Sequence, residues 1–232
     1  MLPYITINTV AETLCFFVTL FALSNNKDPF WRSLTSFMLI VCVSEYLGIY
    51  VKRRYLADVH HVHPNGWVYN ILMFFSVGFF SLVFYHLLSS QKAIKNIVAG
   101  GGIILIMIHV YSIISQSIYV YDELTKTTMS ILFVLYSFIF YYYLLKDDSG
   151  FINIKLYGEF WWVTGTLFFY FGTTAYNIYY YKLASFVMNT HSTIVPLKYV
   201  YNVLNIFIYS LWSYAFICKR LETKRAEARV LY

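Results

Sequence analysis

Apolar residues in this chain come in long unbroken runs, at approximately 4–24, 33–51, 67–89, 97–117, 128–146, 159–181 and 198–218. Each run is close to the 20 residues a helix needs to cross the hydrocarbon of a bilayer. None shows the ten-residue alternation of a transmembrane β-strand, so the pattern predicts helices. Polar punctuation lies between the runs, as in Asn25-Asn26-Lys27-Asp28-Pro29, His63-Pro64-Asn65-Gly66 and Asp147-Asp148-Ser149-Gly150. The expectation is an all-α polytopic bundle of seven transmembrane helices over residues 1–218, followed by a basic tail over 219–232. No internal repeat or Pro/Gly/Ser-rich linker divides it.

Composition narrows the class. Of 232 residues, 59% are hydrophobic and 12% charged, about half the charge of an average soluble domain. Such a chain cannot coat a water-facing globule, which excludes a soluble enzyme, a nucleic-acid module and a disordered polymer; its partner is the lipid bilayer. The first run starts close to Met1 with no basic segment before it and no small-residue cleavage site after it, so it reads as a retained helix.

Charge supplies the orientation. All 17 Lys and Arg lie outside the runs or, as Lys146 and Lys198, at their terminal residues. Lys52, Arg53, Arg54, Lys126, Lys182 and Lys198 fall on one side, and the remaining eleven, including the whole tail, on the other. Basic residues accumulate on the cytoplasmic side, so the expected topology is N-terminus out and C-terminus in. The Lys52-Arg53-Arg54 run opposes that bias.

Polar residues inside the runs are the functional candidates, because an ionisable group facing lipid costs about 2.5–3.5 kcal/mol on insertion scales. Glu12 and Glu45 are the two acids well inside runs. Glu12 lies about 12 Å from the outer end at 1.5 Å per residue. His109, Asn177, Asn202 and Asn205 fall in the same outer half, whereas the inner halves are poorer in polar groups. The six residues are expected to line one outward-facing polar cavity that binds a small polar or cationic ligand; the plainer reading is hydrogen-bonded glue between helices.

A second cluster is His60, His61 and His63, joined by topology to His191 on the same side. Imidazoles suit zinc, so these four are a candidate zinc site, although the spacing is equally that of a solvated loop. Cys15, Cys42 and Cys218 form no CxxC pair and read as buried small hydrophobes. Trp31, Trp67, Trp161 and Trp162 fall near run ends and read as an aromatic belt. The tyrosines within runs read mainly as belt and packing, with a tyrosine-lined pocket as the alternative. Gly100-Gly101-Gly102 reads as a site of close helix approach, or else a hinge.

Several seven-helix families fail at named residues. A retinal protein requires a lysine within the last helix, whereas Lys198 stands at the outer mouth of the last run and Lys219 at its inner end. No HxxxH pair occurs, as in ceramidase-type hydrolases, and Phe84-Tyr85-His86 stands where animal G-protein-coupled receptors carry Asp-Arg-Tyr. By contrast, Phe160-Trp161-Trp162-Val163-Thr164-Gly165-Thr166-Leu167-Phe168-Phe169-Tyr170-Phe171-Gly172, followed by Tyr201-Asn202-Val203-Leu204-Asn205-Ile206, resembles uncharacterised bacterial, Bacteroidota-like seven-helix proteins that are themselves similar to the sensor modules of histidine kinases. The resemblance covers the last two runs and implies a receptor-like sensor in a bacterial inner membrane, signalling to a separate cytoplasmic protein. A transporter or channel is the alternative, although neither inverted repeats nor broken helices are evident. A membrane-embedded, metal-dependent lipid hydrolase is a further one, and it lacks a constellation of nucleophile and base.

Overall fold

The computed structural model describes residues 5–58, 62–89, 92–146, 154–190 and 195–230, with side chains of 176–198 and 227–230 excepted. Its helices are α1 (Ile7–Leu23), α2 (Pro29–Ala57), α3 (Gly66–Leu87), α4 (Lys92–Gln116), α5 (Glu123–Lys146), α6 (Gly158–Thr190) and α7 (Val195–Val230). A single 3₁₀ turn, Ile154–Leu156, precedes α6, and the described residues include no strand. Each sequence run therefore contains a helix.

Local chemistry sets the helix starts. Thr6 and Thr9 form a reciprocal capping box, in which Thr6 Oγ1 accepts the Thr9 N–H at 3.2 Å and Thr9 Oγ1 the Thr6 N–H at 2.8 Å. Asp28 Oδ1 accepts the Phe30 N–H at 2.9 Å with Pro29 opening α2. Asp122 Oδ1 accepts the Thr125 N–H at 3.0 Å and caps α5, whose first turn begins five residues before the apolar run at 128.

Five helices among the described residues are long and apolar enough to span a bilayer, and α1 is a shorter apolar helix of 17 residues. Large apolar side chains cover the outside, for example Leu14, Phe17, Leu82 and Ile114 at 59–79% exposure. So much exposed apolar surface is the mark of an integral membrane protein rather than of one facing water.

Consecutive helices pack side by side, and α7 returns to α1, closing a ring. Within it α3 also touches α5 directly, so α4 is displaced outward against the pair. Gly101 and Gly102 permit that approach. A Cβ on Gly102 would lie 2.9 Å from Ser81 Oγ, and one on Gly101 would collide with the Tyr136 hydroxyl. These glycines are packing positions on both sides of α4.

The end of the bundle where α1, α3, α5 and α7 begin is termed the head, and the end from which the basic part of α7 leaves is the tail. The tail half is filled by aromatic rings. Phe80, Phe84, Phe133, Tyr136, Trp162 and Trp212 are at most 4% exposed. Trp162 and Trp212 stack at 5.5 Å with planes 6° apart, and Trp212 Nε1 donates to the Trp162 carbonyl at 3.1 Å. Trp31 and Trp162 thus belong to the core, each 2% exposed, and not to an interfacial belt. The three cysteines are free and buried.

Candidate functional site: a polar cavity in the head half

Above the aromatic layer lies a cavity of about 170 Å³, contributed by every helix except α4. Its ionisable lining is Glu12 from α1, Glu45 from α2 and Lys126 from α5. Glu12 is 6% exposed. Its Oε1 accepts a hydrogen bond from the Tyr209 hydroxyl at 3.2 Å, while Oε2 is buried with no hydrogen-bond partner. Glu45 Oε2 accepts from the Tyr69 hydroxyl at 3.2 Å. Each carboxyl is thus held by one phenol and keeps acceptor capacity.

Lys126 comes from across the ring. Its ammonium lies 5.1 Å from the centre of the Tyr121 ring and 5.8 Å from that of Tyr201, within the reach of cation–π attraction. Among the described residues no carboxylate forms an ion pair with it. Asn205 also lines the cavity, with Nδ2 donating to the Tyr201 carbonyl at 2.9 Å. The floor is Phe80 and Trp212, so the space is polar on its walls and aromatic beneath.

The expected residues separate into groups. Glu12, Glu45 and Asn205 share the cavity. Asn202 is half-buried on α7 and is not part of its lining. The side chain of Asn177 lies outside the described residues.

His109 is placed elsewhere, because α4 stands outside the ring. It is 1% exposed, with Nδ1 2.7 Å from Asp122 Oδ2 and Nε2 3.1 Å from the Asn70 carbonyl. Ser112 Oγ donates to Asp122 Oδ1 at 2.7 Å, and the Asp122 N–H donates to Asn70 Oδ1 at 3.1 Å. Asn70 Nδ2 donates to the carbonyls of Ile118 and Val120, both at 2.7 Å. The network pins the α4–α5 connection to the head of α3. Burial alone would raise the Asp122 carboxyl, but hydrogen bonds from Thr125, Ser112 and His109 outweigh it and hold the group below its ordinary value. His109 is a clamp residue, not part of the cavity wall.

Of the candidate zinc ligands, His63 is exposed and its ring stacks on Tyr119 with centroids 3.9 Å apart. His60, His61 and His191 lie outside the described residues. Among the described residues no group of three or more His, Cys, Asp or Glu could hold a metal ion.

One feature of the cavity was not expected from the sequence, and a second stood there only as the lesser alternative. Lys126 counted there only as a loop charge. The Asp122-Glu123-Leu124-Thr125 cap was the signal that helix α5 starts early and carries Lys126 within it. Tyr69, Tyr121, Tyr201 and Tyr209 supply much of the wall, a role apolar periodicity does not distinguish from packing. No protein-family model, curated protein or solved structure matches the chain.

Proposed function

We propose that this protein is a receptor-like membrane sensor that binds a small zwitterion in the head cavity and reports to a separate cytoplasmic protein through the tail. The observation that carries the reading is the division of the bundle into a cavity with ionisable walls above and a solid aromatic layer below. A ligand-binding site needs the first, and the second opposes a conduit.

The lining supports a ligand class. Two carboxyls face a lysine across the ring, so a molecule carrying both an ammonium and a carboxylate satisfies both walls. The ammonium would provide Glu12 Oε2 with the donor it lacks, and the tyrosine faces add cation–π attraction. The carboxylate would meet Lys126. At about 170 Å³ the space suits a molecule much smaller than a drug, comparable with the ~150 Å³ void that accepts benzene in an engineered core. Small amino acids and their ω-amino relatives have this chemistry.

The eleven basic residues on the tail side support an orientation with the head outside the cell and α7's basic extension in the cytoplasm. Binding between α1, α2, α5 and α7 would shift the packing of α7, whose extension continues as helix to Val230.

Cysteine accessibility in spheroplasts tests the reading. Ser76→Cys, in the cavity wall, should react with a membrane-impermeant maleimide from outside. Ser137→Cys, at a fully buried position in the tail half of α5, should react from neither side. Labelling of Ser137→Cys, or labelling of Ser76→Cys only in inverted vesicles, would overturn the outward sensor.

A further inference from the structure

A second cavity, of about 110 Å³, lies at the tail end between the close of α1 and the cationic part of α7. Its polar lining is Ser24, Asn25, Asn26, Arg220, Thr223 and Lys224, with two cations and no carboxylate. We infer that this cavity is a binding site for the phosphate headgroup of an anionic lipid. It is separate from the head cavity and does not depend on the sensor reading.

Three observations lead there. First, Asn26 is 8% exposed and its Nδ2 is buried with no hydrogen-bond partner. Its Oδ1 is already used, accepting the Asp28 N–H at 2.9 Å. A buried amide donor without an acceptor is costly, and a phosphate oxygen is the acceptor this lining lacks.

Second, Arg220 is fixed in place. Its Nη1 donates to the Phe21 carbonyl at 2.7 Å and its guanidinium carbon lies 3.7 Å from the centre of the Phe21 ring. One nitrogen satisfies the last turn of α1, which leaves the rest of the fork for an anion. Lys224, exposed and in no ion pair among the described residues, supplies the second cation at the rim. The nearby carboxylate Glu222 is committed to Lys219 at 3.1 Å.

Third, the surroundings are apolar on the bilayer side. Leu20, Phe21 and Leu221 are 41%, 69% and 41% exposed. A phosphate carried by acyl chains would bury those chains against this face, which a free phosphate cannot do. Basic pockets between transmembrane helices bind anionic headgroups in this way. A zwitterionic headgroup is disfavoured, since it brings a cation to a site that already holds two.

Native mass spectrometry of the full-length protein tests the proposal, with phosphatidylglycerol, phosphatidylcholine or inorganic phosphate added at matched concentration. Phosphatidylglycerol should be retained preferentially. Lys224→Glu should weaken that retention by about tenfold or more, the expected scale for reversing one charge at the membrane surface. Lys92→Glu, at the same end but outside the lining, should leave it unchanged. Circular dichroism checks that both variants remain helical. Equal loss in the two variants would mean a diffuse basic rim and overturn the site, and equal retention of phosphatidylcholine would overturn anion selectivity. Saturation by inorganic phosphate alone would overturn the lipid as its source.

Discussion

Removing His109 distinguishes a structural clamp from ordinary interhelical glue by magnitude alone. Interhelical hydrogen bonds in membranes average about 0.6 kcal/mol, so losing the two that His109 makes would cost about 1 kcal/mol if the residue were simple glue. The geometry predicts more. Both His109 and Asp122 are 1% exposed, their contact is 2.7 Å, and His109→Ala leaves a buried carboxylate without its nitrogen partner. Breaking one side of such a pair costs about 3–5 kcal/mol. A double-mutant cycle of His109→Ala and Asp122→Asn, read by equilibrium unfolding in mixed micelles, should give a coupling energy of about 2–3 kcal/mol, the upper part of the range for contacting residues. The coupling should depend on pH. Asp122 is held below its ordinary value of 3.8, so its contribution is complete above that value and is lost as the pH falls through the lower folded-state value. Additive single mutations, to within about 0.5 kcal/mol, would refute the clamp, as would coupling that persists after Asp122 is protonated.

Three further outcomes follow from the architecture. A tag after Tyr232 should be protected from protease in intact spheroplasts while one before Met1 is cleaved, and the reverse would put the head cavity in the cytoplasm. Phe80→Ala, which removes a 2% exposed ring touching Phe133, Trp162, Tyr170 and Trp212, should destabilise the bundle by about 3–5 kcal/mol in the same unfolding assay; a loss below 1 kcal/mol would mean that the aromatic layer is loosely packed. Gly102→Leu should destabilise the bundle by about 1–3 kcal/mol, since even a Cβ there meets Ser81 at 2.9 Å, and unchanged stability would show that α4 is free to shift.

The helices were legible in the sequence because bilayer thickness imposes the same length on every apolar run. The placement of Glu12, Glu45 and Asn205 around one space was legible for an energetic reason, since groups too costly to face lipid turn inward. His109 obeyed the same rule, yet it turned toward Asp122 and not toward the ring centre. Nothing local announces that choice, because its partner lies 13 residues on and beyond the end of α4, and the supporting Asn70 bonds span 48–52 positions. Trp31 and Trp162 illustrate the opposite difficulty. Position near a run end suggested an interface, but both rings turn toward the bundle interior, Trp31 against Phe216 and Trp162 against Trp212. Lys126 was obscured by a capped turn of α5 whose polar residues lie outside the apolar pattern.

The central claim, that the head cavity receives a small zwitterion between Glu12, Glu45 and Lys126, is tested most directly by equilibrium binding to the purified full-length protein. A panel of small amino acids and ω-amino acids should contain a ligand, and the matching amine and carboxylic acid alone should each bind more weakly. Loss of a charged hydrogen bond is worth about 1.5–3 kcal/mol, so Glu12→Gln and Lys126→Gln should each weaken binding by about tenfold or more, with the unfolding midpoint nearly unchanged. Zwitterion binding that neither substitution alters, or no binding across the panel, would contradict the account.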